Sequence, residues 1–337
     1  MALLIVFLLF SAFPSLIFSI DIPIILPTKN VTVTGFTKLQ LPVASTGSLA
    51  FDLLNEGPYT GTTDGRILKY ISLIKSFQNF AYTSVNRTNA FCDGTTDIDK
   101  SPICGFPTGL GYNYISQKLY ACDVAIGLTD VGPFGGLATT LVPTKNGVPY
   151  KLLLGLDVST DGTVYFTDAS TRYGPKEVNQ SILTGDATGR LLKYDPITKN
   201  VTILLSKLAG AVGVASNFDA SFLLVSEFTG RRIQKYWLKG EKAGTSEIFL
   251  TFPGNPNKIK RNQDGDFWIA LNIPTNNSGV APQGVKVSPC GQILATVDLS
   301  KEYNDNRRIT VVQEQTGKLY VAGLNITFVG QYNIVKV

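Results

Sequence analysis

One short motif returns six times along this chain, and it constrains the fold more than any other feature. A turn residue, a run of apolar and aromatic residues, then a small or acidic residue reads as GPYTGTTDG (57–65), QKLYACD (117–123), GTVYFTD (162–168), SFLLVSE (221–227), GDFWIAL (265–271) and GKLYVAG (317–323). Successive copies start about 45 to 60 residues apart, the length of a four-stranded blade or slightly more. A companion pattern follows several of them: GRILKY (65–70), GRLLKYD (189–195), RRIQKYW (231–237) and GQILATVD (291–298). Alternating runs bounded by Gly, Asp, Asn and Pro read as strands paired through hairpins, and 32 glycines with 17 prolines supply the turns. Strand edges left open invite aggregation, and a closed ring of radial sheets limits them. The pattern therefore predicts an all-β, six-bladed β-propeller, one domain over residues 21–337. VTVTGFTKLQL (31–41) is expected to close the ring against the last blade. Innermost strands line the channel of such a ring, so their ends are the expected functional positions, read here as Asp123, Asp168, Glu227 and Leu271.

Ahead of the ring, MALLIVFLLFSAFPSLIFSI (1–20) is apolar and free of acidic residues. It reads as a signal peptide cleaved near Ser19–Asp21, which predicts a secretory-pathway protein, vacuolar or extracellular, with no membrane span after cleavage. Six N-x-[ST] sequons follow, at Asn30, Asn86, Asn179, Asn200, Asn276 and Asn325, the pattern of a glycoprotein. Of the four cysteines, Cys92 and Cys104 enclose a short polar loop and read as a disulfide in that compartment. Cys122 and Cys290 are left open between free thiols and a second bridge. The chain has no histidine and no C-x₂-C pair, so neither a metal centre nor a cofactor is expected. Its net charge of +5 is spread over scattered lysines and arginines, a solvated surface rather than a nucleic-acid stripe.

The stretches GSLAFD (47–52), YTGTTDGRILKY (59–70), CGFPTGLGYNYISQKLYACD (104–123), GTVYFTDASTRY (162–173), TGRLLKYDP (188–196), VSEFTGRRIQKYWLKG (225–240) and NKIKRNQDGDFWIA (257–270) resemble the plant strictosidine synthases, in order and over nearly the whole mature length. That resemblance implies a six-bladed propeller and a Pictet–Spengler condensation of tryptamine with the aldehyde secologanin. The reaction needs a base, which a carboxylate in an apolar pocket can supply. The resemblance places the family's glutamate just beyond the F-W strand of the fifth blade, where about Ile273 stands. No Asp or Glu occurs between Asp266 and Asp298, so the catalytic residue is unidentified. Substrate-binding positions carried over by the resemblance are Tyr112, Leu154 and Glu227, with Leu152 and Leu154 where the synthases have aromatic residues. A bland reading stands beside it: Glu227, Asp64, Asp123, Asp168 and Asp195 end strands or enter turns, where carboxylates bond nearby backbone N–H groups.

Three functions follow in order. The first is a propeller binding a small metabolite in its channel. The second is an ester or lactone hydrolase of the paraoxonase or gluconolactonase type, whose metal-holding positions fall here on Gly155 and Val212, with Glu227, Asp157 and Asp168 as the acids at hand. The third is strictosidine formation with another base.

Overall fold

The computed structural model describes residues 31–143, 150–276, 279–303 and 307–335. The expected signal peptide and the sequon at Asn30 lie outside the described residues. Six four-stranded sheets follow one another along the chain, antiparallel except for one short edge strand. From the innermost strand outward, blade 2 is Pro107–Asn113, Lys118–Asp123, Gly127–Val131 and Thr139–Pro143. Blade 3 is Leu153–Val158, Val164–Asp168, Gly189–Tyr194 and Val201–Leu208. Blade 4 is Ala211–Ser216, Phe222–Glu227, Arg232–Trp237 and Ser246–Thr251. Blade 5 is Asn255–Arg261, Phe267–Pro274, Val280–Val287 and Ile293–Asp298. Blade 1 contains Tyr59–Gly61, Arg66–Ile71 and Ser76–Tyr82, with Gly136–Leu137 added in parallel at its edge. Its innermost position is held by residues 45–50, which touch the sheet through two isolated bridges, Ser45 to Thr62 and Ala50 to Tyr59.

Blade 6 explains how the ring closes. Ile309–Gln315, Lys318–Gly323 and Phe328–Val335 come from the end of the chain, and the fourth strand, Thr32–Gln40, comes from its beginning. The expected closing strand is thus in place, and the edge of Phe328–Val335 is paired rather than left open.

Each of the six repeated motifs forms the second strand of its blade, not the innermost one. The expectation that Asp123, Asp168, Glu227 and Leu271 end channel-lining strands is corrected accordingly. The reason is burial. A second strand is covered on both faces by neighbouring blades, so its residues form the most apolar run and the most visible repeat. Phe267, Ile269 and Leu271 pack into the core shared with blade 4, while Trp268 and Ala270 of the same strand pack toward blade 6. Of the companion motifs, the first three are third strands, and GQILATVD is the outermost strand of blade 5.

The loop from blade 1 to blade 2 carries the predicted disulfide, Cys92–Cys104, while Cys122 and Cys290 are free thiols, one buried and one exposed. The bridge spans 12 residues, a closure worth about 3 kcal/mol in the chain-entropy model. A Cys92→Ser/Cys104→Ser variant is expected to lose about that much in urea unfolding, and a loss below about 1 kcal/mol would count against the entropic account.

Candidate functional site

The inner strands do not run in simple register with the second strands. Each of the five in blades 2 to 6 gains one residue, at 107–109, 153–156, 211–213, 256–259 and 309–311. Such bulges kink a strand and re-aim a side chain. They fall at the same end of every inner strand, where the chain enters from the preceding blade. The bulged segments bring Thr108, Leu154, Val212, Asn257 and Thr310 to one mouth of the channel.

Their chemistry divides the mouth in two. Around blades 6, 1 and 2, hydroxyls tie each inner strand to the next. Thr310 donates to Gly47 O at 2.8 Å, Thr46 to Pro107 O, and Thr108 to Leu153 O at 2.6 Å. Around blades 3 and 4 the same positions are Leu154 and Val212, with nothing to donate. They join Phe106, Val124, Leu152, Ala169, Ile98 and Phe228 in one apolar cluster. Ile98 comes from the loop closed by the disulfide. Asn257 in blade 5 is half-buried, and its amide has no hydrogen bond among the described residues.

The carboxylates of the repeated motif anchor the backbone around this apolar cluster. Asp123 lies between blade 2 and its entry loop and accepts Phe106 N at 2.6 Å, Ala125 N at 2.8 Å, Ile126 N at 3.1 Å and the Thr83 hydroxyl at 2.5 Å. Asp168 accepts Leu152 N at 2.9 Å and pairs with Arg190 directly opposite on the third strand. Glu227 accepts Ala209 N at 2.7 Å and a two-point contact from Arg232, at 2.7 and 3.1 Å. Asp64 repeats the device in blade 1 with Arg66 and Gly94 N. Burial pushes the Asp123 and Asp168 carboxyls up, and their donors reverse only part of that. At Asp64 burial acts the same way, but Arg66, Gly94 N and Thr62 outweigh it and hold the group low. These acids are positioning residues, since their oxygens are committed to backbone N–H groups, hydroxyls and guanidinium groups.

The three positions carried over as substrate-binding are not brought together. Leu154 is in the apolar cluster. Glu227 is fully buried behind it, inside blade 4. Tyr112 lies near the far end of the blade 2 inner strand, opposite Leu119, so it belongs to the other mouth. There it sits 6.5 Å from the Tyr59 ring and 5.5 Å from the Tyr114 ring, and donates to Gln117 O. Ile273 is on a second strand, one residue past the Asn255–Asn272 pair at the mouth end of blade 5, and its side chain packs against the core shared by blades 4 and 5.

Between the two mouths the bore is narrow. A Cβ on Gly155 would stand 2.8 Å from Gly213 Cα, and one on Gly213 would stand 2.8 Å from Lys258 Cα. Only glycine permits inner strands to approach so closely. Gly109, Gly155 and Gly213 line the bore together with Leu110, Leu156, Val214, Ile259 and two lysines, Lys258 and Lys260. Lys258 Nζ donates to Gly47 O at 2.6 Å and Lys260 Nζ to Leu110 O at 2.8 Å, each reaching to another blade. Burial pushes the Lys258 ammonium down to about 7, helped by the neighbouring Lys260 charge, and Lys260 to about 8. Sequence reasoning missed both lysines. Their only signal is the K-I-K triplet, and it is the neighbouring blades that bury it.

A family model described as strictosidine synthase matches residues 155–241. Strictosidine synthase-like 11 of Arabidopsis thaliana is 40% identical over 313 residues, covering 91% of this chain and 93% of that protein. Strictosidine synthase of Catharanthus roseus is 38% identical over 298 residues, with 87% and 84% covered. Among solved structures, a gluconolactonase from Xanthomonas campestris superposes with a TM-score of 0.62 at 15% identity, covering 92% of this chain and 96% of that one. The calcium-binding protein regucalcin from Agrobacterium tumefaciens gives 0.63 at 12% identity, with the same coverage.

Proposed function

Since this chain belongs to the strictosidine synthase family, we propose that it binds a small, largely apolar metabolite in the cup at the channel mouth, without the family's strictosidine-forming condensation. One observation carries the reading: Phe106, Leu152, Leu154, Val212 and Phe228 converge on one side of the mouth, and the next inner strand brings Asn257, whose amide has no hydrogen bond among the described residues, as a polar anchor. A few placed polar groups in an apolar concavity are what small-molecule sites consist of. Condensation would need a base within reach of the ligand. The mouth positions supply threonine, leucine, valine and asparagine, and the acids nearby are committed to the scaffold.

The lactonase-type reading fits the residues less well. A hard divalent cation needs several oxygen ligands, carboxylates among them. Among the described residues no three His, Cys, Asp or Glu side chains stand close enough to hold a metal, and Leu154 and Val212 offer no oxygen from their side chains. Ester hydrolysis through such a cation therefore has no donor set in this mouth.

The reading also includes passage through the secretory pathway. In its favour are the apolar leader, the disulfide and the exposure of the sequon residues Asn86, Asn179, Asn200, Asn276 and Asn325. Among the described residues no helix is long and apolar enough to cross a membrane.

The test is a binding screen of apolar metabolites, run beside a tryptamine-plus-secologanin assay. Leu154→Arg is expected to weaken the best binder at least tenfold, since a long charged side chain would fill the cup. Strictosidine formation by the unmodified protein, or binding untouched by both Leu154→Arg and Val212→Arg, would overturn the proposal.

A further inference from the structure

The charges around the cup are unequal in a way that specifies its ligand. Each buried acid of the motif ring is neutralised or fully hydrogen-bonded: Asp64 by Arg66, Asp168 by Arg190, Glu227 by Arg232, Asp123 by four donors. The two lysines of the bore are not. Lys258 is 6% exposed and Lys260 8%, yet both donate to neutral backbone carbonyls, and neither forms an ion pair among the described residues. An ammonium has three N–H groups, and each of these spends one on the contact just described. A buried charge without a counter-charge is costly, and its field extends far in a bore walled by glycine and aliphatic side chains.

That field reaches the cup. Lys258 directly follows Asn257 of the mouth, and its Nζ shares the acceptor Gly47 O with the mouth hydroxyl of Thr310. The floor of the cup is therefore positive. The other titratable groups facing the lysines are the Cys122 thiol of blade 2, which burial keeps protonated, and Asp157 of blade 3. Asp157 stands toward the far mouth and accepts both Ser216 N and the Ser216 hydroxyl at 2.7 Å.

Building on the cup reading above, we propose that the ligand is an apolar monocarboxylic acid, its hydrocarbon part in the cup and its carboxylate directed toward Lys258 at the floor. The preference is opposite to that of a site built for an amine. A cation placed over the same floor would meet two like charges and no available carboxylate.

Three probes with one ring system separate charge from shape: 3-phenylpropionate, 3-phenylpropanol and 2-phenylethylamine, measured by titration calorimetry at pH 6 and low salt on the full chain. The acid is expected to bind at least tenfold more tightly than the amine and more tightly than the alcohol. Lys258→Met should remove that preference, bringing the acid down to the affinity of the alcohol. Lys260→Met, as a second variant, should reduce the preference if the first fails to fold. Equal binding of acid and alcohol overturns this inference alone and leaves the apolar cup standing. A preference that survives both substitutions also overturns it, and failure of all three probes overturns the cup reading with it.

Discussion

Replacing Glu227 by glutamine is expected to cost about 3 kcal/mol of stability while leaving ligand affinity unchanged. Both carboxylate oxygens are taken, one by Arg232 Nε and the other by Ala209 N and Arg232 Nη2. Glutamine keeps one acceptor but turns the other toward existing donors as an NH₂ group. Arg232, half-buried against the blade, then loses its counter-charge, and the entry to the blade 4 inner strand loses an anchor. Urea unfolding reads the first effect and 3-phenylpropanol binding the second. Asp195→Asn is the control, because Asp195 is a turn acid that accepts Ile197 N and Thr198 N, and the unfolding midpoint should stay where it was. A Glu227→Gln protein of normal stability and weakened binding would instead make Glu227 a ligand anchor.

That distinction shows what a sequence of this kind reveals. The ring was legible because second strands are buried on both faces, and residues such as those of GDFWIAL must be apolar in every blade. The closing strand was legible because VTVTGFTKLQL has no partner nearby in sequence and the last blade lacks one. Strand rank within a blade was not legible. It depends on which edge is left unpaired, which no local pattern records. Reading the repeated strand as innermost put Asp123, Asp168 and Glu227 in the channel, one strand too far in. The positions we propose as the site lie instead on bulges, where one added residue changes which side chain faces the mouth. Thr108, Leu154, Val212, Asn257 and Thr310 span four residue types, so no motif marks them. Tyr112 illustrates the same limit: four residues past Thr108 on one strand, it belongs to the opposite mouth.

The two bore lysines should also give the protein an unusual dependence on pH. An unfolded lysine keeps its proton to about pH 10.4, whereas folding lowers Lys258 to about 7 and Lys260 to about 8. Between those limits the unfolded chain binds more protons than the folded one, so stability rises with pH across this window. Below about pH 7 both states carry the Lys258 proton, and the full cost of burying it remains. The effect is on the order of 4 kcal/mol for Lys258 and about 3 kcal/mol for Lys260, with relaxation reducing both. Without ligand, the protein is therefore expected to be more resistant to urea at pH 9 than at pH 6, against the usual optimum near neutrality. Lys258→Met should flatten this slope and raise stability at pH 6 by about 2 to 3 kcal/mol. The net gain is smaller than the burial cost because a donor to Gly47 O is lost, although that carbonyl keeps the Thr310 hydroxyl. A variant equally destabilised at both pH values would show that Lys258 holds blades 5 and 1 together more strongly than its buried charge drives them apart. The retained cation would then be structural, and the positive floor of the cup a by-product of ring closure rather than a selector of acids.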